Sequence, residues 1–212
     1  MTMSNPPLPA RLHGFVQAGG GSTRFGRDKA LAELAGQSLL SRAASLLAAV
    51  CPTVKIVAPP GKYTDPPAPL LRDLWPGEGP LGGIVTALHD LPAASERHAA
   101  LIVSCDMPFL TPDFLAALAS RALQSPAPIV APVSSFGLEP LCACWRSDAL
   151  PVLESAFSSG IRKVTQAMNL LPIETLDDSF WKRFDTQGRL FWNMNTGEDY
   201  DEARRLLDAP HP

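Results

Sequence analysis

Apolar and polar positions along this chain fall into two alternating patterns. Short apolar runs of strand length, at residues 14–18, 54–58, 99–104, 129–132 and 141–145, are separated by longer stretches in which apolar residues recur at helical intervals. In residues 38–49, Leu39, Leu40, Ala43, Leu46 and Leu47 share one helical face, because a period of 3.6 residues returns to the same side every three or four positions. Residues 81–91, 112–123, 147–157, 162–170 and 198–207 are predicted as further helices, and residues 70–72 as one more short strand. Thr111-Pro112-Asp113 supplies an N-cap, a first-turn proline and an early acid, each of which favours a helix start. Ser147 is expected to cap the next helix, with Pro151 in its first turn. The run at 99–104 is apolar without alternation, as in a strand covered on both faces.

Strand and helix in alternation predict an α/β fold, three-layered and Rossmann-like, with a mostly parallel central sheet flanked by helices. The expected organisation is a flexible segment at 1–11, a single domain over 12–208 and a flexible tail at 209–212. Ligands of such folds gather at the carboxyl ends of the strands. Three loops rich in glycine, acid or base leave predicted strands there, at 18–29, 73–83 and 105–109.

Composition narrows the function classes. A net charge of −3 disfavours a nucleic-acid binder, since a protein dominated by phosphate contacts carries a basic surface. No apolar run is long enough to span a bilayer, and the proline-rich start lacks the apolar stretch of a secretory signal. A cytoplasmic protein with no nucleic-acid or membrane partner is expected. Cys51, Cys105, Cys142 and Cys144 form no Cys-x-x-Cys pair, which favours buried reduced thiols over a redox or metal role. Cys142 and Cys144 belong on one face of a strand.

The densest chemistry is Gln17-Ala18-Gly19-Gly20-Gly21-Ser22-Thr23-Arg24-Phe25-Gly26-Arg27-Asp28-Lys29. Three glycines let the backbone approach a ligand and turn its N–H groups toward an anion. Ser22 and Thr23 add hydroxyl donors, and Arg24 and Lys29 the positive charge that a triphosphate requires. The P-loop pattern fails, because Arg27 and Asp28 follow Gly26; the dinucleotide and nucleophile-elbow patterns fail, because Arg24 stands where each needs glycine. Phosphate binding nevertheless explains this loop better than a solvated turn.

The stretch resembles the nucleotidyltransferase signature Ala-Gly-Gly-x-Ser-x-Arg-Met-Gly-x-Asp-Lys, and in particular that of the molybdenum cofactor guanylyltransferases. Ala18, Gly19, Gly20, Ser22, Arg24, Gly26, Asp28 and Lys29 match it, while Gln17 replaces the family's usual leucine and Phe25 its methionine. Asp73, followed by Gly79-Pro80-Leu81-Gly82-Gly83, resembles the family's second station, and Ser104-Cys105-Asp106-Met107-Pro108 its third. Glu139-Pro140-Leu141, Gly160-Ile161-Arg162 and Asn193-Met194-Asn195-Thr196-Gly197 resemble its later segments, with Gly197 in place of proline.

The resemblance implies transfer of GMP from GTP to the phosphate of molybdenum-bound molybdopterin, with Mg2+ as cofactor and transient contact with molybdoenzymes or other cofactor-biosynthesis proteins. It assigns nucleotide binding to Gln17, Ala18, Gly19, Gly20, Gly21, Ser22, Arg24, Lys29, Asp73 and Asp106, with Arg24, Lys29 and Asp106 catalytic. Asp106 takes the metal position, since one carboxylate with phosphate oxygens and water can hold Mg2+. Glu139, Arg162, Lys163 and Asn195 are the acceptor-side candidates, although solvated helix charge explains Arg162 and Lys163 equally well. A cytidylyl- or sugar-phosphate nucleotidyltransferase and a non-catalytic nucleotide-binding adaptor are the alternatives. Third comes a dinucleotide-dependent oxidoreductase.

Overall fold

Each apolar run becomes a strand because its two sides meet two different helical layers. The computed structural model of the chain describes residues 8–19, 28–92, 97–185 and 187–208. Strand β1 (Leu12–Gln17) is followed by a small hairpin, β2 (Glu33–Leu34) and β3 (Gln37–Ser38), and by helix α1 (Leu39–Ala48). Then come β4 (Thr53–Ala58), β5 (Leu70–Arg72), α2 (Pro80–His89), β6 (Ala99–Ser104) and α3 (Pro112–Gln124). The second half holds β7 (Ile129–Ser134), β8 (Gly137–Leu138), β9 (Cys142–Arg146), α4 (Leu150–Ser158), α5 (Val164–Met168), β10 (Ile173–Leu176), α6 (Asp178–Trp181) and α7 (Gly197–Asp208).

Among the described residues the main sheet has eight strands, in the order β10-β7-β9-β6-β1-β4-β5, with β8 paired to β7. All pairs in that run are parallel except those made by β9, which lies antiparallel between β6 and β7. The period of two is visible across the sheet. Leu12 and Val16 of β1, Leu101 and Val103 of β6, and Cys142 and Cys144 of β9 share one core with α1, α3 and α7. Phe15, Ile102, Ala143 and Trp145 point the other way, into a second core with α2, α4 and α5. This is the expected three-layer α/β arrangement.

The strong helix signals hold. Thr111 accepts from the Phe114 amide at 3.3 Å and Pro112 lies in the first turn of α3. Ser147 departs from expectation: residues 147–149 form a 3-10 turn with no side-chain cap, and α4 begins only at Leu150, with Pro151 in its first turn. Helix α5 is shorter than expected, Val164–Met168, with Lys163 as its cap residue and Arg162 before it. The expectations for 1–7 and 209–212 lie outside the described residues.

The order of the strands positions the site. From β1 the chain runs outward to β4 and β5, then returns to place β6 on the other side of β1. The crevice at such a switch point, beyond the carboxyl ends of the strands, is where doubly wound sheets bind ligands. Gln17 and Ser104 are register partners at that point. Because β9 runs antiparallel, its amino end reaches the same edge, and the Ser104 amide donates to the Leu141 carbonyl at 2.8 Å.

Candidate active site

At the switch point lies a cleft of about 300 Å3 lined by Gln17, Gly19, Asp73, Gly79, Ser104 and Asp106, among others. Of the expected nucleotide residues, Gln17, Gly19, Asp73 and Asp106 thus face one space. Lys29 joins them through Asp106, to whose Oδ2 it donates at 2.8 Å. Gly20, Gly21, Ser22 and Arg24 lie outside the described residues.

Asp106 comes two residues after the end of β6, so a buried strand leads into a carboxylate at the sheet edge. One of its oxygens takes the Lys29 ammonium, while Oδ1 is buried with no hydrogen-bond partner among the described residues. Leaving such an oxygen unpartnered is costly, and a cation or a ligand proton would relieve it. Lys29 also donates to the Met194 carbonyl, and the Met194 amide donates to the Asp106 carbonyl at 2.9 Å. The segment before α7 is therefore stitched to the Lys29–Asp106 pair.

Asp73 is buried at the end of β5, with its amide donating to Ala58 O at 2.9 Å. Its Oδ1 accepts from the Trp75 amide at 2.9 Å and from the Thr86 hydroxyl at 3.4 Å. Oδ2 faces Gly19, since a Cβ on that glycine would come within 3.5 Å of it. One oxygen holds the turn; the other is presented toward the cleft.

Helix α2 starts at the cleft. Gly79 is its N-cap at φ 91°, a backbone position that favours glycine, and Pro80 lies in the first turn. The first N–H groups of a helix lack intrahelical acceptors and carry positive partial charge. Gln17 lies across this helix start: Nε2 donates to the Pro80 carbonyl at 2.7 Å, and Oε1 is buried without a hydrogen-bond partner among the described residues. The amide fits only because position 83 is glycine, where a Cβ would sit 2.0 Å from Gln17 Nε2. Gly83→Ala should therefore lower stability by about 1–3 kcal/mol, and Gln17→Ala in the same chain should recover most of the loss in thermal unfolding. Equal losses with and without Gln17 would contradict this packing.

Two residues of the cradle carry no signal in the sequence. The Ala18 carbonyl accepts from Lys62 Nζ at 2.8 Å and from the Tyr63 hydroxyl at 3.0 Å, and Lys62 also pairs with Asp28 at 3.4 Å. They anchor both ends of the glycine loop. A lysine and a tyrosine in a polar loop look the same whether solvated or docked.

The acceptor-side candidates separate. Glu139, at the amino end of β9, is buried and accepts from Ser134 Oγ at 2.5 Å. Burial pushes its carboxyl above the usual glutamate value, the Ser134 hydrogen bond works against that, and the nearby Asp106 charge adds to it. Arg162 is turned to other work. Its Nε donates to Glu78 at 2.8 Å, and its guanidinium lies 3.9 Å from the centre of the Phe157 ring. Lys163 is exposed.

Asn195 is exposed, and its amide donates to Asp199 Oδ2 at 2.7 Å within the capping arrangement that starts α7. There the Asp199 amide donates to Thr196 Oγ1 at 3.1 Å. Partial burial works to raise the Asp199 carboxyl. The amides of Asn195 and Thr196, the Thr196 hydroxyl and the Lys29 charge hold it below its ordinary value.

All four cysteines are buried and free. Burial pushes the Cys105 thiol up to about 12, with the Asp106 charge adding to it, so it is a core residue rather than a nucleophile.

Comparison with known proteins gives this geometry a family. The model of the MobA-like NTP transferase domain matches residues 14–172. The chain belongs to the MobA-like NTP transferase family. Among its relatives is a probable molybdenum cofactor guanylyltransferase of Chloroflexus aggregans, 35% identical over 206 residues that cover 95% of this chain and 97% of the relative. A molybdenum cofactor guanylyltransferase of Desulfosudis oleivorans is 30% identical, over 92% of this chain and 96% of its own.

In fold, the molybdopterin-guanine dinucleotide biosynthesis protein A of Archaeoglobus fulgidus superposes with a TM-score of 0.79 at 24% identity, covering 92% of this chain and 98% of its own. A 2-C-methyl-D-erythritol 4-phosphate cytidylyltransferase of Thermus thermophilus shares the fold at a TM-score of 0.66 and 14% identity, over 92% of this chain and 98% of its own. The shared fold accounts for the Rossmann-like sheet. Among the described residues, no helix is long and apolar enough to cross a membrane.

Proposed function

We propose that this chain is a cytoplasmic molybdenum cofactor guanylyltransferase, transferring GMP from GTP to the phosphate of Mo-molybdopterin and releasing pyrophosphate. The observation that carries the reading is Asp106, which lines the cleft with one oxygen on Lys29 and the other buried and, among the described residues, unpartnered. Membership in a family whose relatives bear the guanylyltransferase name supports it.

The reaction needs no side-chain nucleophile, because the acceptor phosphate is already an anion near neutral pH. One of its oxygens attacks the α-phosphorus in line, and the bond to the β-phosphate oxygen breaks with its electrons on pyrophosphate. Catalysis is positioning and charge stabilisation. Lys29, fixed by Asp106 and the Met194 carbonyl, supplies positive charge beside the phosphates, and Arg24 supplies it from the glycine loop. The free amides at the start of α2 face the nucleotide, and Asp73 Oδ2 accepts from its base or ribose.

The donor set fits Mg2+. A hard cation prefers carboxylate and phosphate oxygens, and the unpartnered Asp106 Oδ1 is such an oxygen. When bound, Mg2+ would neutralise charge on the phosphate oxygens. Asp106 would hold it, and Glu139, beside Asp106 with its carboxyl shifted upward, would feel its field.

The direct test uses GTP labelled at the α-phosphorus: label should pass to Mo-molybdopterin in a one-to-one product. Label that stays in GTP, or appears only as free GMP, would overturn the reading. Asp73→Asn preserves the turn through Oδ1 but replaces the acceptor Oδ2 with a donor. It should raise the GTP KM about tenfold, the size of one hydrogen bond lost at a binding site, with kcat changed far less; an unchanged KM would remove Asp73 from the nucleotide site.

A further inference from the structure

A second pocket, of about 310 Å3, opens between the β7–β8 hairpin and the segment before α7, and shares no lining residue with the nucleotide cleft. Its walls include Phe136, Trp181 and Trp192 together with Asp185, Arg189 and Glu202. Phe136, at the tip of the β7–β8 hairpin, is 80% exposed, and exposing a large aromatic side chain forfeits the gain of burying it. The tip is nonetheless held in place, since the Phe136 amide donates to Ser134 Oγ at 3.0 Å. The tryptophans are fixed as well: Trp181 Nε1 donates to the Val133 carbonyl at 2.9 Å, and Trp192 stacks on Phe109 with centroids 5.5 Å apart and planes at 21°.

Two short connections join this pocket to Asp106. Ser134, in its wall, holds Glu139, whose carboxyl feels the Asp106 charge. Trp192 stands two residues before Met194, which bonds both the Asp106 carbonyl and the Lys29 ammonium. The aromatic side chains are thus linked through Ser134–Glu139 and through Trp192–Met194 to the Lys29–Asp106 pair, at a cleft with which they share no lining residue.

We propose that this aromatic pocket seats the pterin ring of the acceptor. The inference rests on the nucleotidyl-transfer reading and deepens it. A flat fused heterocycle stacks on tryptophan and phenylalanine faces. The 2-amino-4-oxo edge of a pterin presents adjacent N–H donors and a carbonyl. Asp185 and Glu202 supply carboxylate acceptors for the first, and Arg189 a donor for the second. Arg162, bound to Glu78 and stacked on Phe157, has no part in this seat.

The test uses the full chain with two variants, Phe136→Ala and Glu202→Gln, at positions outside the catalytic pair. Each should raise the KM for Mo-molybdopterin, by about tenfold for the loss of one stacked ring, while the GTP KM and the melting temperature stay where they are. In parallel, 6-hydroxymethylpterin titrated without nucleotide should quench tryptophan fluorescence saturably, and Phe136→Ala should weaken that binding. An acceptor KM unchanged in both variants, or no saturable quenching of the unmodified protein, would overturn the pterin seat. If the unmodified protein transfers no GMP, nucleotidyl transfer fails, and the fluorescence titration still decides whether the pocket takes a pterin.

Discussion

Asp106→Asn should lower kcat on the order of 10³-fold, comparable to removing a group that stabilises charge in a transition state, while the chain remains folded and binds GTP. The substitution keeps the side-chain volume and removes the charge. Lys29, which donates to Oδ2 at 2.8 Å, would lose its ionic partner and keep only its remaining contacts, the Met194 carbonyl among them. The unpartnered Oδ1 would lose the charge that makes it a metal ligand. Steady-state kinetics beside a GTP-binding measurement separates the two effects. A kcat within about tenfold of the unmodified protein, equivalent to roughly 1.4 kcal/mol of barrier, would remove Asp106 from the reaction.

Phe114→Ala should cost more stability than Gly83→Ala. Phe114 is fully buried in the first turn of α3 and meets Phe191 and Phe184 edge-on, with centroids at 5.4 and 5.9 Å. Truncating such a ring costs about 3–5 kcal/mol, from lost transfer energy and the cavity left behind. For a chain of this size that lowers the melting temperature by roughly 6–20 °C. The loss should reach the reaction too, because Phe191 leads into Trp192 in the pterin pocket and Met194 at the catalytic pair. Calorimetry that showed a fall of less than about 2 °C would mean that the 184–191 segment is held by other contacts.

The ends of the parallel strands were legible because burial on both faces leaves a plain apolar run, and the residues just beyond such a run must lie at the sheet edge. That is why the loops at 18–29, 73–83 and 105–109, far apart in sequence, could be brought to one place from the apolar pattern and their glycine, acid and base content, whereas the roles of Gln17, Asp73 and Asp106 came from the family resemblance. The direction of β9 was not legible. Residues 142–146 are all buried, so neither period nor length distinguishes a parallel strand from an antiparallel one. Glu139 reaches the neighbourhood of Asp106 only because that strand runs backward.

Arg162 and Lys163 were equally ambiguous. The helix was expected to include them, whereas it starts at Val164, and Glu78, distant in sequence, takes the guanidinium. The short strands β8 and β10 carry two and four residues, too few to establish a period. The aromatic pocket was invisible for a related reason. Phe136 comes from a hairpin tip and Trp192 from a loop, and no repeat spacing links two positions that meet only through the fold.

On the proposed function, the cleft beyond the carboxyl ends of β1 and β6 transfers a nucleotide from GTP under the control of Asp106. Pyrophosphate release measured with each nucleoside triphosphate, Mg2+ and Mo-molybdopterin, beside Asp106→Asn, tests it most directly. Release is expected with GTP alone, dependent on the acceptor and lost in the variant. Release with CTP in place of GTP would contradict the guanylyl assignment, and tight nucleotide binding without release from any triphosphate would contradict catalysis itself.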